Sequence, residues 1–112
     1  MRRCVLVLGL TLALQTAIQP AIAISGKILY VDCVAFDELY ARGSALGYIL
    51  GVYEHALSYP RSKVKFCVPD GITEGKVRDT VCEWLASHPE KRAQRAADLV
   101  VEALNEAWPC KP

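Results

Sequence analysis

The 112-residue chain is short of the residues and patterns that most chemistry needs. It has only two histidines, His55 and His88, and no C-x-x-C pair. That argues against a zinc ribbon or a thioredoxin-like redox centre. No G-x-S-x-G, H-E-x-x-H, phosphate-binding loop or dinucleotide glycine run occurs, so the usual signatures of hydrolases, metalloproteases and nucleotide enzymes are missing. Glu54 and His55 are neighbours in a helical pattern, where successive side chains diverge by about 100°, so they do not form a dyad. Nor is there a basic excess. Thirteen Lys and Arg against 12 Asp and Glu give a net charge of +1, so nothing suggests nucleic acid, which normally selects a basic face. The reading is of a non-enzyme with no cofactor and no metal.

What the chain does have begins at its amino terminus. Arg2 and Arg3 precede an apolar run from Val5 to Ile18, and Ala21-Ile22-Ala23 supplies a small-x-small cleavage site. The run is short for a bilayer span and is followed by Gln19 and Pro20. Residues 1–23 therefore read as an export signal, and residues 24–112 as one mature domain of about 89 residues. Removal of Arg2 and Arg3 leaves 11 basic against 12 acidic residues, a net charge of −1. Cys4 leaves with the signal, and no lipobox precedes any cysteine. Four cysteines remain: Cys33, Cys67, Cys82 and Cys110. An even count in a small exported domain points to disulfides, and four allow three connectivities.

The rest of the chain is helical in pattern. Ser25 suits the cap of a short helix through Cys33. Asp37 suits the cap of a long one ending near Leu57 or Ser58, with Leu46, Ile49, Leu50, Tyr53 and Leu57 as its core stripe. Gly43, Gly47 and Gly51 lie beside that stripe, each costing about 1 kcal/mol against alanine. They imply either close packing by a neighbouring helix or a dimer seam. Tyr59-Pro60 breaks the helix, and Arg61, Lys63 and Lys65 follow in a loop or extended piece. Pro69-Asp70-Gly71 is a turn, and Thr73 caps a third helix with Val77, Val81, Trp84 and Leu85 on one face. Asp79 and Glu83, with Arg78 nearby, read as its solvated side. Pro89 ends this helix and starts the next at the favoured first position. The fourth carries Ala96, Leu99, Val100, Ala103, Leu104 and Ala107 on one stripe and stops at Pro109. The fold class is all-α, a small four-helix domain. Cys67 and Cys110 bracket an antiparallel helical hairpin whose ends should meet, so a Cys67–Cys110 bridge is expected.

The exposed candidates for recognition are two. The His88-Pro89-Glu90-Lys91-Arg92 connection is either a helix-stop, helix-start device or a loop that meets a partner, with His88, Glu90, Lys91 and Arg92 as contacts. Arg61 and Lys63 belong either to a solvated loop or to a patch that steers an acidic partner.

Taken in order, FCVPDGIT, HPEKR and the alanine-rich helix ending LVVEALNEAWPC resemble the Tai-type immunity family over roughly residues 30 to 110. Gly47-Tyr48 with Gly51-Val52 is similar to that family's GY-x-x-GV helix. Its members are small periplasmic proteins that protect bacteria from type VI secreted cell-wall amidases, and they act as homodimers. The resemblance implies a stoichiometric inhibitor that occludes an amidase, with no turnover. Two positions depart from the family pattern: Ala45 stands where a cysteine is usual, and Lys76 where glutamine is. With its usual partner missing, Cys33 is expected to pair with Cys82, the alternative being two buried free thiols. The rival reading is a periplasmic helper or chaperone-like module on a similar helical scaffold.

Overall fold

The computed structural model describes residues 23–35, 37–59 and 66–111. It contains four α-helices: α1 Gly26–Val34, α2 Leu39–Ser58, α3 Glu74–Ser87 and α4 Ala96–Ala107, with a 3-10 turn at Pro89–Lys91. No strand occurs among the described residues; two isolated bridges join Ser25 to Arg95 and Phe66 to Pro109. The signal expected over 1–23 lies, apart from Ala23, outside the described residues, as do Arg61 and Lys63.

The Ser25 hydroxyl accepts from the Ile28 N–H at 3.4 Å, as a cap should. Gly26 behind it is buried, and a Cβ there would strike Leu99 Cδ1 while lying 3.2 Å from the Arg92 backbone. Its absence lets three backbone bonds form. The Gly26 N–H donates to the Gln94 carbonyl at 2.9 Å, the Lys27 N–H to the Arg92 carbonyl at 2.8 Å, and the Ala96 N–H to the Ile24 carbonyl at 2.8 Å. The last bond matters most to α4. Arg95 at its N-cap offers no side-chain acceptor, so the start of the chain satisfies one of the orphan donors of the helix.

Helix α2 departs from expectation at its start and on its core face. Glu38, not Asp37, holds the N-cap position, and it makes no side-chain cap bond. The buried face is Ala41, Ala45, Ile49 and Ala56, so of the expected stripe of larger residues Ile49 is the member fully buried. Leu46, Leu50 and Tyr53 are half-buried at its margin, and Leu57 is exposed. The helix packs against α1, α3 and α4 at once, and alanine lets three neighbours approach where leucine would hold them off. A stripe chosen by side-chain size is therefore rotated away from the true core.

Gly71 has φ of 83°, in the left-handed region that the turn requires. Thr73 then caps α3, its hydroxyl accepting from the Lys76 N–H at 3.2 Å. Val77, Val81, Trp84 and Leu85 are buried on α3, and Ala96, Leu99, Val100, Ala103 and Leu104 on α4. Ala107 is exposed, because the chain leaves the helix there: Trp108 is the C-cap and its N–H returns to the Leu104 carbonyl. Pro89 does sit at a first helical position, but of the 3-10 turn; α4 begins only at Ala96.

Both expected disulfides are present. Cys67 and Cys110 have Cα atoms 4.9 Å apart, and the Cys67 N–H donates to the Trp108 carbonyl at 2.8 Å beside them. Cys33 and Cys82 have Cα atoms 5.6 Å apart and tie α1 to α3, so neither is a free thiol. The first bridge closes the hairpin over a sequence separation of 43, a loop whose closure constrains the unfolded chain by about 4 kcal/mol on the entropy model. Replacing Cys67 and Cys110 together by alanine is expected to lower the unfolding free energy by about that amount. Urea titration followed by far-ultraviolet circular dichroism measures it, and an unchanged midpoint would contradict the clasp's role.

Candidate functional site

The His88–Arg92 connection is where the sequence points first. His88 ends α3, and its ring stacks on Trp84 with centroids 4.0 Å apart. Its Nδ1 lies 2.7 Å from the Trp84 carbonyl; a carbonyl accepts, so Nδ1 carries the proton there. Lys91 pairs with Glu102 of α4 and holds its Nζ 5.4 Å from the centre of the Trp84 ring. The Trp84 indole N–H in turn donates to Glu106 Oε2 at 2.7 Å. Trp84 is thus bracketed by an imidazole and an ammonium, with its polar edge on α4.

Arg92 does more. Its Nε donates to the Leu85 carbonyl at 2.7 Å and its Nη2 to the Ala86 carbonyl at 3.0 Å. These are carbonyls of the last turn of α3, which lack partners within the helix. The guanidinium carbon lies 3.6 Å from the centre of the Tyr30 ring on α1. One side chain therefore closes the end of α3 and seats α1 upon it. Of the four candidates in this connection, His88, Lys91 and Arg92 are engaged in holding α1, α3 and α4 together, while Glu90 is exposed.

Among the described residues no group of three metal-capable side chains converges. All four described cysteines are bonded, so none is a nucleophile. The chemistry on offer is surface chemistry. A Cβ at Gly43, Gly47 or Gly51 would meet nothing within 4 Å, so close packing on them by a neighbouring helix is not found among the described residues. The three glycines face outward. Near them stand Leu39 and Tyr40, 87% and 86% exposed, and Leu57 at 55%. Ile28, Val31 and Val34 form a second exposed apolar row on α1.

Sequence reading missed one feature. Arg78, Asp79 and Glu83, read as a solvated helix side, instead line a cleft with Tyr30, Asp32, Cys33, Val34, Arg42, Ala45, Cys82 and Ala86. The Cys33–Cys82 pair places α1 across α3 and so makes the cleft. Only the coincidence of an unusual cysteine with those charges on the same helix hinted at it.

The described residues form a small helical body closed by two disulfides with apolar rows turned outward, a kind of surface that partners cover. Its disulfides suit an oxidising compartment. No helix among the described residues is long and apolar enough to cross a membrane. The chain belongs to the Rap1a immunity protein family, whose model matches residues 25–110. It is therefore an immunity protein against a secreted effector, acting by binding and not by catalysis. No curated protein matches it.

Arg92 separates a structural role from a recognition role by experiment. Arg92→Lys keeps the charge but loses the planar fork that reaches two carbonyls and the Tyr30 ring. The expected cost is about 1–3 kcal/mol, read as a lower urea midpoint. An unchanged midpoint would contradict the structural role of Arg92.

Proposed function

We propose that the protein is a periplasmic immunity protein that binds and occludes a type VI secreted peptidoglycan amidase. The observation carrying this reading is the family match over 25–110 on a domain closed by two disulfides. The Tai-type order of FCVPDGIT, HPEKR and the closing Trp-Pro-Cys supports the amidase as target. Export follows from the signal over residues 1–23, cleaved near Ala23. His88, Glu90, Lys91 and Arg92 are the proposed contacts in the connection, Glu90 being the exposed one of the four, and Arg61 and Lys63 are proposed contacts for acidic surface on the enzyme.

The outward face of α2 is the proposed homodimer seam. Among the described residues nothing lies within 4 Å of where a Cβ on any of the three glycines would stand, and each glycine costs the helix about 1 kcal/mol. A second α2 lying against them would use the space that a Cβ would take, with Leu39 and Leu57 buried alongside. Gly47→Leu meets open space in the isolated chain, so folding is untouched. Sedimentation equilibrium is expected to give a dimer for the parent and a monomer for Gly47→Leu; a monomeric parent sinks the seam.

Protection is tested in cells that direct an amidase effector to the periplasm. Co-expression of the full chain is expected to prevent lysis, while a version starting at Ile24 and kept in the cytoplasm does not. Lysis with every type VI amidase tried, despite folded and exported protein, would refute the amidase as target.

A further inference from the structure

The cleft between α1, α2 and α3 has a volume of about 420 Å³, at the small end of the roughly 300–1,000 Å³ typical of ligand pockets. Its lining divides by chemistry. Val34, Ala45, Ala86 and the Cys33–Cys82 bridge supply an apolar part. Three carboxylates, Asp32, Asp79 and Glu83, face two guanidinium groups, Arg42 and Arg78.

Those charges are not equally available. Arg78 donates to Asp79 Oδ1 from its Nε at 2.9 Å and again from Nη2, so the two satisfy one another. Asp32 accepts from the Ser44 hydroxyl at 2.9 Å through Oδ2 alone, leaving its other oxygen open. Arg42 and Glu83 form no ion pair among the described residues. Arg42 is exposed on a long flexible stem, and its charge can turn to solvent at little cost. The carboxylates of Asp32 and Glu83 sit on shorter stems fixed to two disulfide-linked helices.

We propose that this cleft is a socket for one basic side chain, an arginine for preference, presented by the partner protein. The alkyl stem would lie along Val34, Ala45 and Ala86, and the guanidinium would meet Asp32 and Glu83. Arginine suits it better than lysine because its planar fork engages two carboxylates at once and it is less strongly hydrated. The surroundings fit a protein as occupant. Val34 belongs both to the cleft and to the exposed apolar row with Ile28 and Val31, so the socket opens beside surface that a partner would dehydrate. A filled pocket within a water-excluding margin is how interfaces concentrate their affinity, and arginine is among the residues that fill such pockets. That the partner is the effector rests on the proposed immunity function; the socket's preference for a cation does not.

The socket is tested first without any effector. L-Argininamide titrated into the oxidised protein is expected to shift the amide resonances of Cys33, Val34, Cys82 and Glu83 saturably, whereas N-acetylglutamate does not. Glu83→Gln, at an exposed unpaired position, should fold normally and weaken argininamide binding by about tenfold or more, the worth of one charge-assisted hydrogen bond. No saturable shift, an equal response to N-acetylglutamate, or undiminished binding by Glu83→Gln overturns the socket, whatever becomes of the immunity reading. In cells where the parent protects, Glu83→Lys is expected to abolish protection while Asp70→Lys, on the distant turn, retains it. Full protection by Glu83→Lys would overturn the socket while leaving the immunity reading intact.

Discussion

The paired helices α3 and α4 remain a unit because their outer ends are bonded to each other through Cys67 and Cys110. The Cys67 N–H to Trp108 carbonyl bond and the Phe66–Pro109 bridge lie at the same end. The buried core of the described residues includes five alanines, at positions 41, 45, 56, 96 and 103. Alanine contributes little transfer free energy, since the gain scales with apolar area removed from water. A small core in which five of fifteen buried hydrophobic residues are alanine gives close helix approach but a thin margin over conformational entropy. Covalent closure offsets that by restricting the unfolded chain, which suits a protein working outside the reducing cytoplasm.

Helix α1 depends on a different set of interactions, mostly backbone. Its apolar residues are spread around the helix and not gathered on one face, with Leu29 buried and Ile28 and Val31 exposed. Hydrophobicity therefore does not decide which face turns inward. The Cys33–Cys82 bridge, the backbone bonds at Gly26 and Lys27, and the Arg92 fork against Tyr30 decide it instead. A rigid seat for α1 has a functional consequence: its outward row and the cleft beside it keep one shape before a partner arrives. Less ordering entropy is then lost on association.

How much of this the sequence disclosed depends on the kind of signal. Local devices were legible. The hydroxyls of Ser25 and Thr73, the turn at Gly71 and the apolar faces of α3 and α4 act within a few residues, and each was found where its chemistry placed it. The clasp was legible too, because a hairpin brings its own ends together. Helix α2 was not. Its inward face is set by how closely three other helices approach, so Ala45 is fully buried while Leu57 is exposed. The cleft was hidden for the same reason, its lining drawn from three helices. Arg92 resembled a charged loop residue because the carbonyls it serves lie six and seven residues earlier, outside any local capping pattern.

The two outward regions make different demands on a partner. The α2 face offers glycines, leucines and a tyrosine, which reward close approach by another helix and select little else. The cleft carries open carboxylates, and an ionic contact is less forgiving: a wrong charge is repelled, and an uncharged group leaves the carboxylates desolvated without a partner. Self-association through the first and effector choice through the second would divide affinity from specificity. On that division a dimer seam would tolerate substitutions preserving a flat apolar surface. The cleft would tolerate none that moves Asp32 or Glu83, and the Cys33–Cys82 bridge would become part of recognition because it fixes the helices carrying those two carboxylates.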